Sequence, residues 1–307
     1  MAIPYMWSKS KSARHIYNVI NAHTKDRKEN LLVDLFTGWF AISEIFIQEW
    51  WQTINNDKNK YVMALLEKTL EWLTDEVYNW VSREKFEDVI KNPSKYEDWY
   101  VWYIQCIWSF WNNQKWYLYW RDIEEIKKQA DDLVVKKEVW EIIKKLIPNK
   151  YIKGILKQDS IWKRRIALSK VGKVVWNKLD GMQRLQNLER LQRLQRLQRL
   201  QRLQNKENIK DIIKGKSYDE IDILKDAIVY CDPPYNNTAT YSEWWFNHKE
   251  FWDYIRKLSK TNKVFVSEYT APKDFRIIYE FNQKSCLQGW SQSHNNQPHE
   301  CLFVYNW

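Results

Sequence analysis

Four consecutive residues, Asp232-Pro233-Pro234-Tyr235, directly follow the apolar run "AIVYC". The run has the length and the β-branched content of a buried strand. Open α/β sheets bind their ligands at the carboxyl ends of such strands. We therefore predict that these four residues, Asp232, Pro233, Pro234 and Tyr235, form a catalytic site.

The chemistry that this group suits is the activation of an aromatic amine. The exocyclic amine of a nucleobase is a poor nucleophile because its lone pair is delocalised into the ring. If the Asp232 carboxylate and the Pro233 carbonyl accept hydrogen bonds from the amine, the nitrogen moves toward sp³ geometry and the lone pair is freed. Two prolines hold the acceptors rigidly, and Tyr235 offers a face on which an extruded base can stack.

The elements that must position this site are predicted at both ends of the chain. "ENLLVDLF" is a buried apolar run that ends at Asp34, Gly38 follows in a turn, and "FAISEIFIQE" has helical spacing. "WQTINND" is a second short strand ending near Asp57, and further strands are predicted at "KVFVSEY" and "CLFVYN". Strand, turn, helix and strand in this order predict an α/β fold with a parallel sheet.

The middle of the chain differs from its ends. Residues 61–181 are aromatic and charged, with several helical stretches, and "SFWNNQKWYLYW" predicts a β-hairpin. We expect a catalytic domain formed by residues 1–60 and 206–307, with 61–181 as an inserted, mostly helical region for target recognition. Residues 182–205 are a low-complexity Leu-Gln-Arg repeat.

Leucine recurs at every third position of this repeat, from Leu185 to Leu203. A three-residue step rotates by about 300° on a helix, so the leucines spiral around it instead of forming a stripe. One interpretation is a weakly packed basic helix or loop with arginines near phosphates. The other, which we favour, is replication slippage within a tolerant insertion. The arginines concerned are Arg193, Arg196, Arg199 and Arg202.

Positive charge is concentrated in the same part of the chain. The formal net charge is +10, and residues 136–216 hold 23 Lys and Arg against 7 Asp and Glu. Such a concentration favours a polyanionic partner such as nucleic acid, although a solvated surface is the alternative. The predicted contacts to base edges or phosphates lie around the hairpin and in a basic stretch, although Asn and Gln are also ordinary turn residues. They are Asn112, Asn113, Gln114, Lys115, Arg121, Lys163, Arg164 and Arg165.

Taken together, these motifs resemble those of the Dam-type DNA adenine-N6 methyltransferases. "PYMWSKSK" at residues 4–11 is similar to the family's N-terminal cofactor motif, and Asp34, Phe36 and Gly38 are similar to its glycine turn. Asp57 lies 19 positions after Gly38 and corresponds to the acidic residue that holds the cofactor ribose. Asp232 to Tyr235 correspond to the family's catalytic motif.

The resemblance implies a Rossmann-like methyltransferase sheet flanked by helices and the transfer of a methyl group from S-adenosylmethionine to adenine N6 in double-stranded DNA, with base flipping. It implies a cytoplasmic enzyme that acts beside a companion restriction endonuclease or alone. The cofactor contacts implied are Trp7, Ser8, Lys9, Asp34, Phe36, Gly38, Trp39 and Asp57. Three alternatives stay open: methylation of cytosine N4 by the same acceptors, a catalytically silent DNA-binding relative, and RNA as the substrate.

Tryptophan stands where glycine is expected. The chain has 6 glycines and 20 tryptophans, whereas average usage would give about 21 glycines. Several tryptophans occupy turn positions or places where the family has glycine. These are Trp7, Trp39, Trp111, Trp116, Trp120, Trp244, Trp245 and Trp290. We interpret them as glycines encoded by UGA and read as tryptophan, and we expect Trp80, Trp102 and Trp252 to be ordinary core residues. The alternative is a protein that is truly rich in tryptophan.

Cysteine and apolar patterning exclude other classes of protein. Cys286, His294, His299 and Cys301 match no common zinc spacing, so no metal site is predicted. Four cysteines without a regular framework suit a reducing compartment. No apolar run reaches the roughly 18 residues of a membrane span, and the N-terminus lacks the features of a secretion signal.

Overall fold

The computed structural model describes residues 9–71, 73, 75–110, 113–175, 189–203, 205–223, 225–235, 246–281 and 299–306. Within them the chain forms seven β-strands and eleven α-helices. The strands are β1 Leu31–Asp34, β2 Gln52–Asp57, β3 Ile209–Lys214, β4 Ile228–Cys231, β5 Lys263–Glu268, β6 Phe275–Glu280 and β7 Cys301–Tyr305. The helices are α1 Ala13–His23, α2 Ala41–Gln48, α3 Lys60–Glu71, α4 Arg83–Lys91, α5 Asp98–Ile107, α6 Arg121–Val135, α7 Glu141–Leu146, α8 Asn149–Leu156, α9 Ile161–Val175, α10 Glu189–Gln201 and α11 His248–Ser259.

The strands form one sheet in the order β3-β2-β1-β4-β5-β7-β6. Strands β1 to β5 are parallel, and β7 is antiparallel to both of its neighbours. The chain runs from β1 outward through β2 to β3 and then places β4 on the other side of β1. This change of direction creates a crevice at the carboxyl ends of β1 and β4. The predicted α/β sheet flanked by helices is confirmed.

Helices cover both faces of the sheet, which explains why β1 and β4 are apolar at successive positions. On one face, Val229 and Val264 pack against Phe251 of α11. On the other face, Leu32 and Tyr230 lie in a cluster with Ile16 of α1, Phe46 of α2 and Trp51. Both clusters hold the strand ends, and so the crevice, in a fixed geometry.

The chain divides into two compact units. We call residues 1–70 and 202–307 the sheet unit, and residues 71–201 the helical unit. The helical unit contains α4 to α10. The predicted hairpin within it is confirmed in a reduced form, as an antiparallel bridge between Ser109 and Tyr117. None of the helices in the described ranges has the length and apolar character needed to cross a membrane.

The repeat is packed more tightly than predicted. Its described part is α10, in which Leu191, Leu194 and Leu197 are buried. Arg190 is also fully buried and pairs with Asp131 at 2.5 Å. The prediction of a weakly packed helix or loop is therefore wrong for α10, because neighbours on several sides bury the leucines that the structure describes. Replication slippage stays a prediction.

Arg193 is also buried, so the predicted phosphate contact of this residue is wrong. Its guanidinium donates to the carbonyls of Cys106, Ile107 and Ser109, at 2.8 to 3.1 Å. These carbonyls lie at and just after the end of α5, where a helix leaves its last acceptors unsatisfied. Arg199 and Arg202 are exposed, and Arg196 is partly buried.

Candidate active site

The crevice at the ends of β1 and β4 contains a cavity of about 360 Å³. Most of the predicted cofactor and catalytic residues that the structure describes line it. These are Lys9, Phe36, Gly38, Trp39, Asp57, Asp232, Pro233, Pro234 and Tyr235. Trp7 and Ser8 lie outside the described residues.

The turn after β1 is held against the end of β2. The Gly38 N–H donates to the Asp57 carboxylate at 3.0 Å, and the Thr37 N–H donates to the Asn56 carbonyl at 2.9 Å. Gly38 has a φ of +47°, a conformation that favours glycine. Trp39, which follows it, is 9% exposed and lines the cavity. An indole therefore stands where the backbone turns toward the crevice.

Asp34 is a buried acid beside this cavity. Its carboxylate accepts a hydrogen bond from the Ser43 hydroxyl at 3.0 Å, whereas Oδ1 is buried and accepts none. Burial raises the pKa of Asp34 to about 8, and the negative charge of Asp232 adds to the effect. A buried acceptor without a donor is costly. A donor that reached this oxygen would relieve that cost, but Asp34 itself is not among the described residues that line the cavity.

Asp57 closes the other side of the cavity. One carboxylate oxygen accepts the Gly38 N–H, and the other accepts the Asn59 N–H at 2.8 Å. Burial raises the pKa of Asp57. Each carboxylate oxygen has a second lone pair, so the fixed carboxylate can also accept ligand hydroxyl groups.

The two oxygens of the Asp232 carboxylate differ in their contacts. Oδ1 accepts from the Tyr235 hydroxyl at 3.0 Å and lies 3.0 Å from the Lys9 ammonium. Among the described residues none donates to Oδ2. Burial raises the pKa of Asp232 to about 7, although Lys9 opposes this shift. The carboxylate therefore changes its charge near neutral pH and keeps one oxygen for a ligand.

Lys9, predicted as a cofactor contact, is bound to the predicted catalytic group. Its Nζ lies 3.0 Å from Asp232 Oδ1 and 3.0 Å from Glu300 Oε1, and it also donates to the Tyr235 hydroxyl. Burial alone would lower the pKa of the Lys9 ammonium, but the two carboxylates raise it. No motif in the sequence pointed to Glu300, because it is far from Lys9 along the chain.

Three aromatic side chains form a wall of the cavity, and of these only Phe36 was predicted as part of the site. Phe36, Tyr218 and Phe246 line it, with ring centroids 5.6 to 6.0 Å apart. Asp219, directly after Tyr218, also lines the cavity. Aromatic spacing alone could not distinguish these residues from ordinary core.

Three of the predicted DNA contacts are exposed on the helical unit, whereas a fourth is buried and cannot reach DNA. Lys115, Arg121 and Lys163 are exposed, whereas Arg164 is 4% exposed and donates to the carbonyls of Val134 and Gln158. The predicted phosphate contact of Arg164 is therefore wrong, because its guanidinium satisfies backbone carbonyls within the unit.

The remaining predicted contacts are less exposed. Arg165 is partly buried and donates to Gln195 at 3.4 Å. The side-chain oxygen Oδ1 of Asn113 accepts the backbone N–H groups of Lys115 and Trp116, which is the turn role given as the alternative to a base contact. Gln114 occupies the same turn with a φ of +61°. Asn112 lies outside the described residues.

A family model matches part of the chain. The family model described as D12 class N6 adenine-specific DNA methyltransferase matches residues 177–292. This segment includes Asp232 to Tyr235 and the aromatic residues Tyr218 and Phe246. No curated protein matches the chain. The family match indicates an adenine-specific DNA methyltransferase and confirms the enzyme class predicted from the sequence. S-adenosylmethionine as methyl donor and DNA as substrate are implied by the family.

Proposed function

We propose that this chain, which carries the match to adenine-N6 DNA methyltransferases, is a Dam-type enzyme that flips adenine out of duplex DNA and methylates its N6 amine. The observation that carries the proposal is the cavity shared by two sets of residues. Asp232 to Tyr235 line it from β4, and Gly38 and Asp57 line it from the turn after β1 and the end of β2.

The residues around the turn fit S-adenosylmethionine. Asp34 offers a buried carboxylate oxygen that needs a donor, Asp57 offers acceptors for ribose hydroxyls, and Phe36, Tyr218 and Phe246 offer an apolar wall for an adenine ring. When bound, S-adenosylmethionine supplies an electrophilic methyl group. We include Trp7 and Ser8, the first part of the predicted cofactor motif, among the proposed cofactor contacts.

The catalytic residues activate the target amine. Asp232 Oδ2 and the Pro233 carbonyl accept the two N–H groups of the amine, so the lone pair is released from the ring. Asp232 must be ionised to do this, and its pKa of about 7 also lets it take the proton that the amine loses on methylation. The amine attacks directly, so no covalent enzyme intermediate is needed. Cys231 is fully buried in β4, and burial raises the pKa of its thiol far above the usual range.

A methylation assay tests this function. DNA from cells that express the gene is digested to nucleosides, and the products are identified by mass. We expect N6-methyladenine and no N4-methylcytosine. Asp232→Asn should abolish the product because an amide supplies only one acceptor oxygen and presents donors to the amine, whereas the exposed Asp222→Asn should retain it. The proposal fails if purified, folded protein gives no methyladenine in either its tryptophan or its glycine form.

The recoding hypothesis is also part of the proposal. Trp50 ends α2 in a Schellman arrangement: the Trp50 N–H donates to the Ile47 carbonyl, and the Trp51 N–H donates to the Phe46 carbonyl. Trp50 has a φ of +65° and is 68% exposed. This position is usually glycine. Trp116 and Trp120 are 66% and 64% exposed, as glycines in turns would be.

Trp51, Trp102 and Trp252 are buried and fit as true tryptophans, and Trp80 is partly buried. Trp39 is also only 9% exposed, so burial alone does not separate the two groups. The hypothesis therefore predicts different codons for two neighbouring residues: the gene should have UGA at position 50 and UGG at position 51. Mass spectrometry of peptides from the native protein decides the question. Tryptophan masses at positions 39 and 50 would end the recoding hypothesis.

We extend the proposal to the setting of the enzyme. It works in the cytoplasm on double-stranded DNA, beside a restriction endonuclease with the same recognition site. Sequencing that detects methylated adenine would identify this site in DNA from expressing cells. Resistance of that DNA to an endonuclease encoded beside the gene would support the pairing, and unprotected DNA would count against it.

A further inference from the structure

Two of the three residues of the aromatic wall lie on segments that leave the sheet from different strands. Phe36 follows β1 and Tyr218 follows β3, and β2 lies between these two strands. The ring centroids of Phe36 and Tyr218 are 5.6 Å apart, and both side chains line the cavity. β1 ends at Asp34 and β3 ends at Lys214, so both aromatic residues lie beyond the strand ladder. Their spacing therefore depends on contacts outside the ladder.

The side chain of Asn56, on β2, connects these two segments. It is 1% exposed. Its Nδ2 donates to the Leu35 carbonyl at 3.1 Å and to the Lys216 carbonyl at 3.3 Å. Leu35 directly precedes Phe36, and Lys216 shortly precedes Tyr218. A side-chain amide has two N–H donors, so the amide of Asn56 can hold both carbonyls at once.

We propose that Asn56 is a positioning residue for the methyl donor. Its amide fixes the separation of Phe36 and Tyr218, and with it the shape of the wall that takes the adenine ring of S-adenosylmethionine. This inference rests on the proposed function. Asn56 acts through the backbone that carries the two aromatic residues, so its loss weakens cofactor binding and leaves the groups on β4 in place.

The neighbouring Asn55 provides a matched control on the same strand. It is 0% exposed, and its Nδ2 donates to the Thr53 hydroxyl at 3.0 Å and to the Asp211 carbonyl at 3.3 Å. In both asparagines Oδ1 is buried and accepts no hydrogen bond from the described residues. Among the described residues that line the cavity, Asn56 is present and Asn55 is not. The partners of the Asn55 amide lie on β2 and β3, so Asn55 holds the sheet and not the wall.

Asn56→Ala and Asn55→Ala, in the form of the protein that methylates DNA, test the proposal. For Asn56→Ala we expect the Kd for S-adenosylmethionine, measured by calorimetric titration, to rise about tenfold. The KM for the cofactor should rise with it, while kcat at saturating cofactor changes less than about twofold, because ground-state binding is what is lost. Asn55→Ala should leave Kd and KM unchanged, although both variants should unfold at a lower temperature.

Circular dichroism and thermal unfolding curves establish that the variants fold. If Asn56→Ala does not fold, Asn56→Ser and Asn55→Ser replace the pair, with an expected rise in Kd of about threefold for Asn56→Ser because serine keeps one donor. An unchanged Kd for the Asn56 variant overturns the proposal. An equal rise in both variants also overturns it, because a merely structural role gives that result. Failure of the proposed function is distinguishable, since the unsubstituted protein would then neither bind S-adenosylmethionine nor form methyladenine.

Discussion

At the scale of single residues, the site stores unfavourable electrostatics that a ligand can relieve. Asp34 is buried with one unsatisfied oxygen, and Asp232 lies close enough to disfavour a second negative charge. Such groups reduce the stability of the empty protein and increase its affinity for ligands with donors. The same physical property therefore has opposite effects on folding and on binding.

Asp34→Asn should stabilise the ligand-free protein at pH 8 and weaken cofactor binding. The folded pKa of about 8 lies above the ordinary value of 3.8, so the folded state holds a proton that the unfolded chain releases. The free energy of unfolding therefore falls as the pH rises through this window. We expect the variant to gain on the order of 2 kcal/mol at pH 8 and much less near pH 4.

Denaturant unfolding at several pH values measures this difference, with the exposed Asp222→Asn as the control. A difference between Asp34→Asn and the unsubstituted protein that stays constant from pH 5 to pH 8 would contradict the electrostatic explanation. Calorimetric titration with S-adenosylmethionine measures the expected loss of affinity.

Two neighbouring tryptophans should respond in opposite ways to the same substitution. Trp50→Gly removes the backbone strain of a non-glycine residue in the left-handed conformation at the end of α2. It should stabilise the protein by about 1 kcal/mol. Trp51→Gly removes a fully buried indole that packs against Tyr17 and Phe46, with an expected loss of about 3–5 kcal/mol. Chemical unfolding of the two variants measures both effects. A loss of stability in Trp50→Gly would sink the glycine interpretation of that position.

At the scale of elements, the packing of α10 requires particular residue types, but the triplet repeat can supply them in more than one register. Arg190 and Arg193 satisfy carbonyls and an acid in the interior of the helical unit. The period of three means that a shift by one triplet places arginine on arginine and leucine on leucine. The packing therefore specifies residue types, while the sequence offers several equivalent registers.

Insertion of one further triplet should accordingly be tolerated. Gln-Arg-Leu inserted after Leu191 keeps the residue type at each buried position, whichever end of the helix stays fixed. Ala-Ala-Ala at the same place removes either Arg190 and Leu191 or Arg193 and Leu194. Because loss of a buried charge pair costs about 3–5 kcal/mol, we expect a large fall in melting temperature for the alanine insertion and a small one for the native triplet. Equal falls would show that register is fixed by other contacts.

At the scale of the whole molecule, exposed lysines, and not the buried arginines, carry the positive charge that can attract DNA. Exposed lysines of the helical unit include Lys145, Lys153 and Lys157. Charge of this kind attracts phosphates without reading sequence. It would increase affinity for all DNA, and the recognition sequence would be decided by other contacts.

Replacing these three lysines by glutamine should weaken binding to any DNA. If each contacts a phosphate, the slope of log affinity against log salt concentration should fall by about 0.9 for each residue lost. The control carries the same change in net charge on exposed lysines of the sheet unit, Lys25, Lys260 and Lys273. Fluorescence anisotropy across a range of salt concentrations measures both sets. An equal effect of the two sets would contradict a DNA-binding role for the helical unit.

The sequence by itself predicted β1, β2, β4, β5 and β7 and the main residues of the site, but not the edge strands β3 and β6. Strand and turn signals are local, and parallel strands present their carboxyl ends at one edge, so Asp34, Asp57 and Asp232 were predictable neighbours. The catalytic motif was recognisable because it consists of four consecutive residues, Asp232 to Tyr235. The predicted roles of these residues in binding and catalysis stay predictions until the variants above are measured.

Only the tertiary structure decided which charged groups are available. Lys9 reaches Asp232 and Glu300, Arg164 and Arg193 satisfy buried carbonyls, and the aromatic wall is assembled from distant segments. The sequence does not show whether a charged side chain faces solvent, a phosphate or the end of a helix. Its partner is fixed by long-range packing, and that packing depends on burial of the whole chain and not on local spacing.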